Sequence, residues 1–202
     1  MKTIIIATNN KGKVREFEQF FAKYDIKVKS LADIRKKIRI EETGSTFREN
    51  ALIKARTVCK ALKKPVLADD SGLEVAILNN QPGVYSARYA GENSNDYLNN
   101  QKLLYMLRGV PFKLRKARFV CALALVYPKG KEIVVEGTCE GYILEEMRGK
   151  NGFGYDPLFY VPALNKTFAE LTEEEKMKIS HRGRALEELE KVLENDEDSG
   201  RK

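Results

Sequence analysis

Residues 66–72 read Val-Leu-Ala-Asp-Asp-Ser-Gly. An apolar run of strand length enters two consecutive carboxylates and then a small, turn-forming pair. The apolar residues predict a buried strand at 66–69 whose polar end lies at the edge of an α/β sheet, where ligand sites form. Side chains alternate along a strand, so Asp69 and Asp70 serve one site only if the strand stops at this pair, as Ser71-Gly72 suggests. Adjacent ionised carboxylates repel, and a site that keeps both supplies a cation or shifts one pKa. A hard, oxygen-seeking ion such as Mg²⁺ suits the pair, and Mg²⁺ commonly holds substrate phosphates as well. The competing structural reading is a solvated strand end in which Asp70 bonds turn amides.

Towards the N-terminus, Pro65 stops a helix that begins at the capping box Thr46-Phe47-Arg48-Glu49. Its spacing turns Phe47, Ala51, Leu52 or Ile53, Ala55, Cys59 and Leu62 inward. Residues 3–7 predict a strand buried on both faces, followed by the turn Thr8-Asn9-Asn10-Lys11-Gly12-Lys13. A helix with Val14, Phe17, Phe20, Phe21 and Tyr24 on one side comes next, then a second strand at 26–30. Turn amides, Lys11, Lys13 and a helix N-terminus all aim positive charge at a phosphate. The turn has one glycine and no Gly-Lys-Ser/Thr, so it is not a Walker A loop, and an ordinary βα turn is the alternative.

Beyond the acidic pair, residues 73–78 predict another strand and 79–83 a turn. A helix over about 95–108 carries Leu98, Gln101, Leu104 and Tyr105 along one side. Residues 118–127 form a long strand, turned by Pro128-Lys129-Gly130-Lys131 into 132–137. After 142–146 a glycine-rich loop runs over 148–156, with a strand at 158–161. A capped helix from Thr172 and a longer one using Ala185, Leu186, Leu189, Val192 and Leu193 close the chain, which reads as frayed from Asn195. Early alternation of strands and helices with a late hairpin predicts a mixed sheet in an α/β protein. No internal repeat is visible.

Two later islands carry chemistry. Asn151-Gly152-Phe153-Gly154-Tyr155-Asp156-Pro157 sets aromatics between glycines, which suits stacking on a flat base; a packed turn is the alternative. Ile179-Ser180-His181-Arg182-Gly183 holds the only histidine, and at a helix start such a residue caps or packs more often than it catalyses.

Composition sets the outer bounds. A chain of 202 residues, 43% hydrophobic and 32% charged, suits one domain or one built as two lobes. The net charge of +7 suits an anionic ligand. That ligand is either nucleic acid or a nucleotide; the basic residues are dispersed, with modest clusters at Arg35-Lys36-Lys37 and Lys113 to Arg118, no RNP, zinc-finger or basic-zipper motif is present, and most of these charges read as solvated surface. No apolar run is long enough to span a membrane, and the first strand is too short for a signal sequence. Cys59, Cys121 and Cys139 are scattered without metal or redox spacing, which argues for reduced core thiols and a cytoplasmic location.

In this order the islands resemble the inosine triphosphate pyrophosphatase family. The matching pieces are ATNNKGK (7–13), EETGSTFRENALIKA (41–55), ADDSGLEV (68–75), PGVYSARYAG (82–91), RKARF (115–119), GFGYDPLF (152–159) and ELTEEEKMKISHRGRAL (170–186). The resemblance implies hydrolysis of ITP, dITP or XTP to the monophosphate and pyrophosphate with Mg²⁺, removing these purines from the nucleotide pool. It implies a long mixed, twisted sheet flanked by helices, in two lobes with a nucleotide cleft, forming one domain over 1–194 with a tail at 195–202, and a homodimer. Carried over by motif, Thr8, Asn9, Asn10, Lys11, Gly12 and Lys13 hold the triphosphate. Asp70 is the general base and a metal contact, and Glu42 is the second metal-site acid, with Glu41 as its competitor. Asp69, Lys54 and Ser71 support that cluster, while Phe153, Gly154, Tyr155, Asp156, Lys176, His181 and Arg182 recognise base and sugar. Departures at Asn151, Met147 and Asn79-Asn80 touch loop stiffness more than chemistry. Two rivals remain: an aspartyl-phosphate phosphatase, disfavoured because its carboxylates stand two apart, and a nucleic-acid-binding module in which the acids are structural.

Overall fold

The chain alternates strand and helix from its start, and the computed structural model, which describes residues 2–34 and 36–199, follows that alternation. β1 (Lys2–Ile6), α1 (Lys11–Ala22), β2 (Ile26–Lys29), α2 (Phe47–Leu62) and β3 (Val66–Val75) come first. The two-residue β4 (Gln81–Pro82), α3 (Asp96–Met106), β5 (Lys116–Val126) and β6 (Glu132–Ile143) follow. β7 (Phe159–Val161), β8 (Lys166–Thr167), α4 (Glu173–Ile179) and α5 (His181–Ser199) complete it. Residues 200–202 of the expected tail, and Arg35 of the basic cluster, lie outside the described residues.

The strands form one mixed sheet in the order β2-β1-β3-β5-β6-β7-β8, with β4 paired to β3. β1 runs parallel to both β2 and β3, whereas β7 is antiparallel to β6 and to β8. The open, twisted sheet flanked by helices is the expected α/β class.

The chain divides into two compact units, each discontinuous in sequence. Unit 1 takes the residues up to 70, 121–137 and those from 184 onward; unit 2 takes 71–120 and 138–183. In unit 1, Ile5, Ile6, Phe17, Ala51, Ala55, Val58, Val66, Leu67 and the run Cys121 to Val126 are buried, as are Ala185, Leu186 and Leu189 of α5. The core of unit 2 gathers Leu73, Val75, Leu103, Leu107, Phe119, Cys139, Ile143, Leu158, Phe159 and Phe168.

Local chemistry sets the helix ends. Thr46 caps α2 by accepting from Glu49 N while the Glu49 carboxylate returns to Thr46 N, and Thr172 and Glu175 do the same for α4. Two strand readings are corrected. β3 does not end at the acidic pair but continues to Val75, because Ser71 and Gly72 lie inside a sheet whose neighbours set the local conformation. The stretches 132–137 and 142–146 are likewise one strand to Ile143. In α3 the buried side is Asn99, Asn100 and Leu103, while Leu98 and Tyr105 of the expected stripe are exposed.

Candidate active site

In unit 1, β1 hands the chain to a turn built on its own side chains. Thr8 Oγ1 accepts from Asn10 N (3.1 Å), and Asn10 Oδ1 caps α1 by accepting from Lys13 N (3.0 Å). The turn therefore presents a helix N-terminus with Lys11 and Lys13 in its first turn, the arrangement that attracts a phosphate. Asn9 and Lys11 are exposed in it, and Gly12 is buried.

Because β3 continues, Asp69 and Asp70 project to opposite faces of the sheet. Right-handed crossovers in the order β2-β1-β3 also place α1 and α2 on opposite faces, and each aspartate meets a lysine from one of them. Asp69 pairs with Lys13 of α1 and accepts from Cys121 Sγ (3.1 Å). Asp70 Oδ1 accepts from Lys54 Nζ of α2 (2.9 Å). The two carboxylates thus do not share one cation through their side chains, contrary to the expectation drawn from a strand that stops between them. Both are buried, at 1% and 6% exposure.

Lys54 Nζ also donates to the Asp69 carbonyl (3.0 Å) and lies 3.2 Å from Glu42 Oε2. Glu41 turns away, pairing with Arg39 at 2.9 Å on the surface. Glu42 is therefore the acid that joins the cluster. Burial penalises the Lys54 ammonium, but Asp70, Glu42 and Asp69 together raise its pKa above the ordinary value. The Asp70 carboxyl is pushed up by burial, which outweighs the nearby Lys54 and Lys13. Asp70 Oδ2 is buried and has no hydrogen-bond partner.

That oxygen is what a bound cation or a water would satisfy. Among the described residues no group of three or more His, Cys, Asp or Glu side chains could hold a metal alone. An ion that takes one or two carboxylates and completes its shell with phosphate oxygens and water, as Mg²⁺ does, would fit such a donor set.

In unit 2, Ser71 follows Asp70 by one peptide bond, and its Oγ accepts from Arg182 Nη2 (2.8 Å). Arg182 is fully buried, with its guanidinium 5.9 Å from the Phe153 ring centre. Lys176 Nζ lies 4.7 Å from the same ring and donates to Asp156 Oδ2 (2.7 Å), which also accepts from Phe153 N (3.0 Å). His181 is stacked on Phe119 at 4.6 Å and lies nearly parallel to Phe168. It both packs and starts a helix, and it stands beside Arg182.

Two glycines make this arrangement possible. Gly152 has φ +74° and any Cβ there would run into the Asp156 carboxylate; a Cβ on Gly183 would run into the Met177 carbonyl. All the expected base-side residues, Phe153 to Asp156, Lys176, His181 and Arg182, fall in this one unit. Sequence reading missed Phe119 and Phe168 as the platform under His181, and Cys121 beside Asp69. Each looks like plain core in one dimension, so no spacing could reveal them.

A model of the Ham1 family matches residues 4–192. A dITP/XTP pyrophosphatase of Bacillus cereus is 55% identical over 195 residues, covering 96% of this chain and 95% of that protein. One of the same name from Bacillus subtilis is 55% identical over 194 residues, covering 96% and 98%. Among solved structures, the Ham1 protein of Staphylococcus aureus aligns with a TM-score of 0.85 at 48% identity, over 96% of this chain and 100% of that one.

Proposed function

Because this chain belongs to the Ham1 family, we propose that it is a nucleoside-triphosphate pyrophosphatase acting on non-standard purines, with dITP, XTP and ITP as substrates. It hydrolyses them to the monophosphate and pyrophosphate and so removes them from the nucleotide pool. The observation that carries the chemical reading is Asp70: one carboxylate oxygen is pinned by Lys54, and the other is buried without a partner.

Hydrolysis at the innermost phosphorus forms one bond from water oxygen to that phosphorus and breaks the bridge to the second phosphate, whose electrons leave with pyrophosphate. Asp70 Oδ2 takes the attacking water's proton, and its raised pKa makes it a stronger base than an exposed aspartate. Lys11, Lys13 and the first turn of α1, entered through Thr8, Asn9, Asn10 and Gly12, stabilise charge on the phosphates. Lys54 orients Asp70, and Asp69 orients Lys13. Glu42 and Asp70 are the residues that would hold Mg²⁺, which supplies charge neutralisation on phosphate oxygens when bound.

Phe153 offers a face for a purine, with Gly154, Tyr155, Asp156 and Lys176 fixing its loop, and His181 and Arg182 offer donors to the 6-oxo group. Adenine carries a donor at that position, so donor would face donor and a buried polar group would go unpaired. The family resemblance implies a homodimer as the working form, and Tyr85, Tyr97, Leu98 and Tyr105 of unit 2 are exposed apolar side chains. A cytoplasmic location is supported by three buried cysteines that no disulfide joins, and no described helix is long and apolar enough to cross a membrane.

The deciding test is hydrolysis of ITP, XTP, GTP and ATP with and without Mg²⁺, with product identified. ITP and XTP should be cleaved much faster than ATP, releasing pyrophosphate, and Asp70→Asn should be nearly inactive while folded. Equal rates on all four would remove the specificity; orthophosphate as product would favour the aspartyl-phosphate alternative; an active variant would remove Asp70 as base.

A further inference from the structure

α3 is an unusual helix for its position. Two of its three buried residues are asparagines, and the side chains with the largest apolar area, Tyr97, Leu98, Tyr105 and Met106, are exposed. Core packing alone would place apolar residues inside. The buried amides do something else: they bracket loops. Asn99 Oδ1 accepts from Ala90 N (2.8 Å) and its Nδ2 donates to the Ala87 carbonyl (3.1 Å). One residue on, Asn100 Nδ2 donates to the Gly154 carbonyl (2.8 Å) and to the Asp96 carbonyl (2.7 Å).

Asp96 sits one turn before Asn100 on the same side of the helix, and its Oδ2 accepts from Gly154 N (2.8 Å). Gly154 is therefore held at both its N–H and its C=O by two side chains spaced i and i+4. Two acceptor carbonyls fix the Asn100 amide with its nitrogen toward them, leaving Oδ1 buried and without a partner. The gripped residue has φ +59° and lies two positions beyond Gly152 at φ +74°, so Phe153 is flanked by backbone that is costly to order. One further tie runs from Tyr155 OH to the Ser86 carbonyl (2.7 Å).

The geometry points to Asp96 and Asn100 as positioning residues for base recognition: gripping the Gly154 peptide from both sides, they set the Phe153 ring before a nucleotide arrives. The inference rests on the reading of residues 153–156 as the segment that meets the purine. A loop already ordered loses less freedom on binding, so the grip acts on affinity for substrate more than on the chemical step. Asp96 suits the task because it lies in the first turn of α3, with its Oδ2 placed to accept from Gly154 N (2.8 Å). Asp96 is exposed, so its removal tests the grip without opening the core.

The experiment combines steady-state ITP hydrolysis with amide hydrogen exchange of nucleotide-free full-length protein over residues 150–157. Asp96→Ala should raise KM for ITP by roughly five- to tenfold, as loss of one hydrogen bond implies, with kcat within about twofold. Exchange at Gly154 and Tyr155 should quicken, and the preference for ITP over ATP should narrow. Asp96→Asn keeps an acceptor oxygen and should recover most of the KM and of the protection. Asn100→Asp, which turns an acceptor toward the Gly154 carbonyl, should exceed Asp96→Ala in both effects if it folds. Unchanged KM together with unchanged exchange in Asp96→Ala would overturn the inference, as would an Asp96→Asn variant no better than alanine. If the wild type shows no preference for ITP, the functional reading fails, and the exchange data still decide whether the grip exists.

Discussion

Replacing Lys54 by methionine would strip Asp70 of its cation while leaving its carboxylate buried. Breaking such a pair costs about 3–5 kcal/mol when the remaining charge stays charged, but Asp70 escapes part of this by taking a proton. With its folded pKa pushed still higher, the variant keeps its stability below the unfolded value, near pH 4, and loses it as pH rises through the folded one. Denaturant titrations should therefore show Lys54→Met approaching wild-type stability at low pH and falling behind by a few kcal/mol near pH 8. A constant difference across that range would mean Asp70 is not the group left unpaired. Nothing in the spacing of residues 54 and 70 announces their contact, which is why the sequence pointed to two acids sharing a cation. Alternation along a continuous strand gives each aspartate its own lysine instead. The same alternation left Glu41 and Glu42 open; it is Glu42 that pairs with Lys54, while Glu41 pairs with Arg39. The acidic pair itself stood out in the sequence as an apolar run leading into carboxylates, but the run did not separate Asp70 from Asp69; only the family resemblance did.

Elements whose ends are written locally were the most legible. The boxes at Thr46-Glu49 and Thr172-Glu175 lie within one turn of chain, and both form as their residues dictate. β3 was not legible past Asp70, since Ser71-Gly72 favours a turn in isolation and only neighbouring strands overrule it. α3 misled for the opposite reason: of its apolar stripe Leu98 and Tyr105 face out, and only Leu104 packs against the core. The junction of α4 and α5 makes a sharper case. Gly183 lies in the first turn of α5, under the Ser180 hydroxyl that accepts its N–H (3.1 Å), and against the Met177 carbonyl of α4. Gly183→Ala would gain helix propensity, worth up to about 1 kcal/mol, yet must push two backbones apart. Overpacking of that kind costs about 1–3 kcal/mol or more, so the variant should melt lower despite the better helix former. ITP turnover should fall as well, because His181 and Arg182 precede the displaced residue. A variant melting at or above wild type would show that the junction has slack.

At the scale of the molecule, five surface carboxylates are held below their ordinary pKa by nearby donors: Asp33 by Ser30 N, Glu49 by Ser45, Glu132 by Arg56, Glu170 by Thr167 N and Glu175 by Thr172 N. Lowered folded values stabilise the protein above the unfolded pKa, and that contribution is lost as pH falls through the folded ones. The buried Asp70 has the opposite sign, so its ionisation opposes stability at neutral pH. Thermal unfolding should thus hold steady near neutrality and fall once pH drops below about 4. A midpoint unchanged down to pH 3 would deny these caps and ion pairs any net role. The mixed sheet itself was foreseeable from early alternation and a late hairpin, whereas the division into interleaved units was not, because no composition shift marks positions 70, 120, 137 or 183. That interleaving has a consequence for synthesis. The interior of unit 1 includes Ala185, Leu186 and Leu189, so the chain must emerge from the ribosome as far as residue 189 before the unit begun first can close. Until then the interior of unit 1 lacks these three side chains, and trigger-type chaperones have a long window in which to hold the nascent polypeptide.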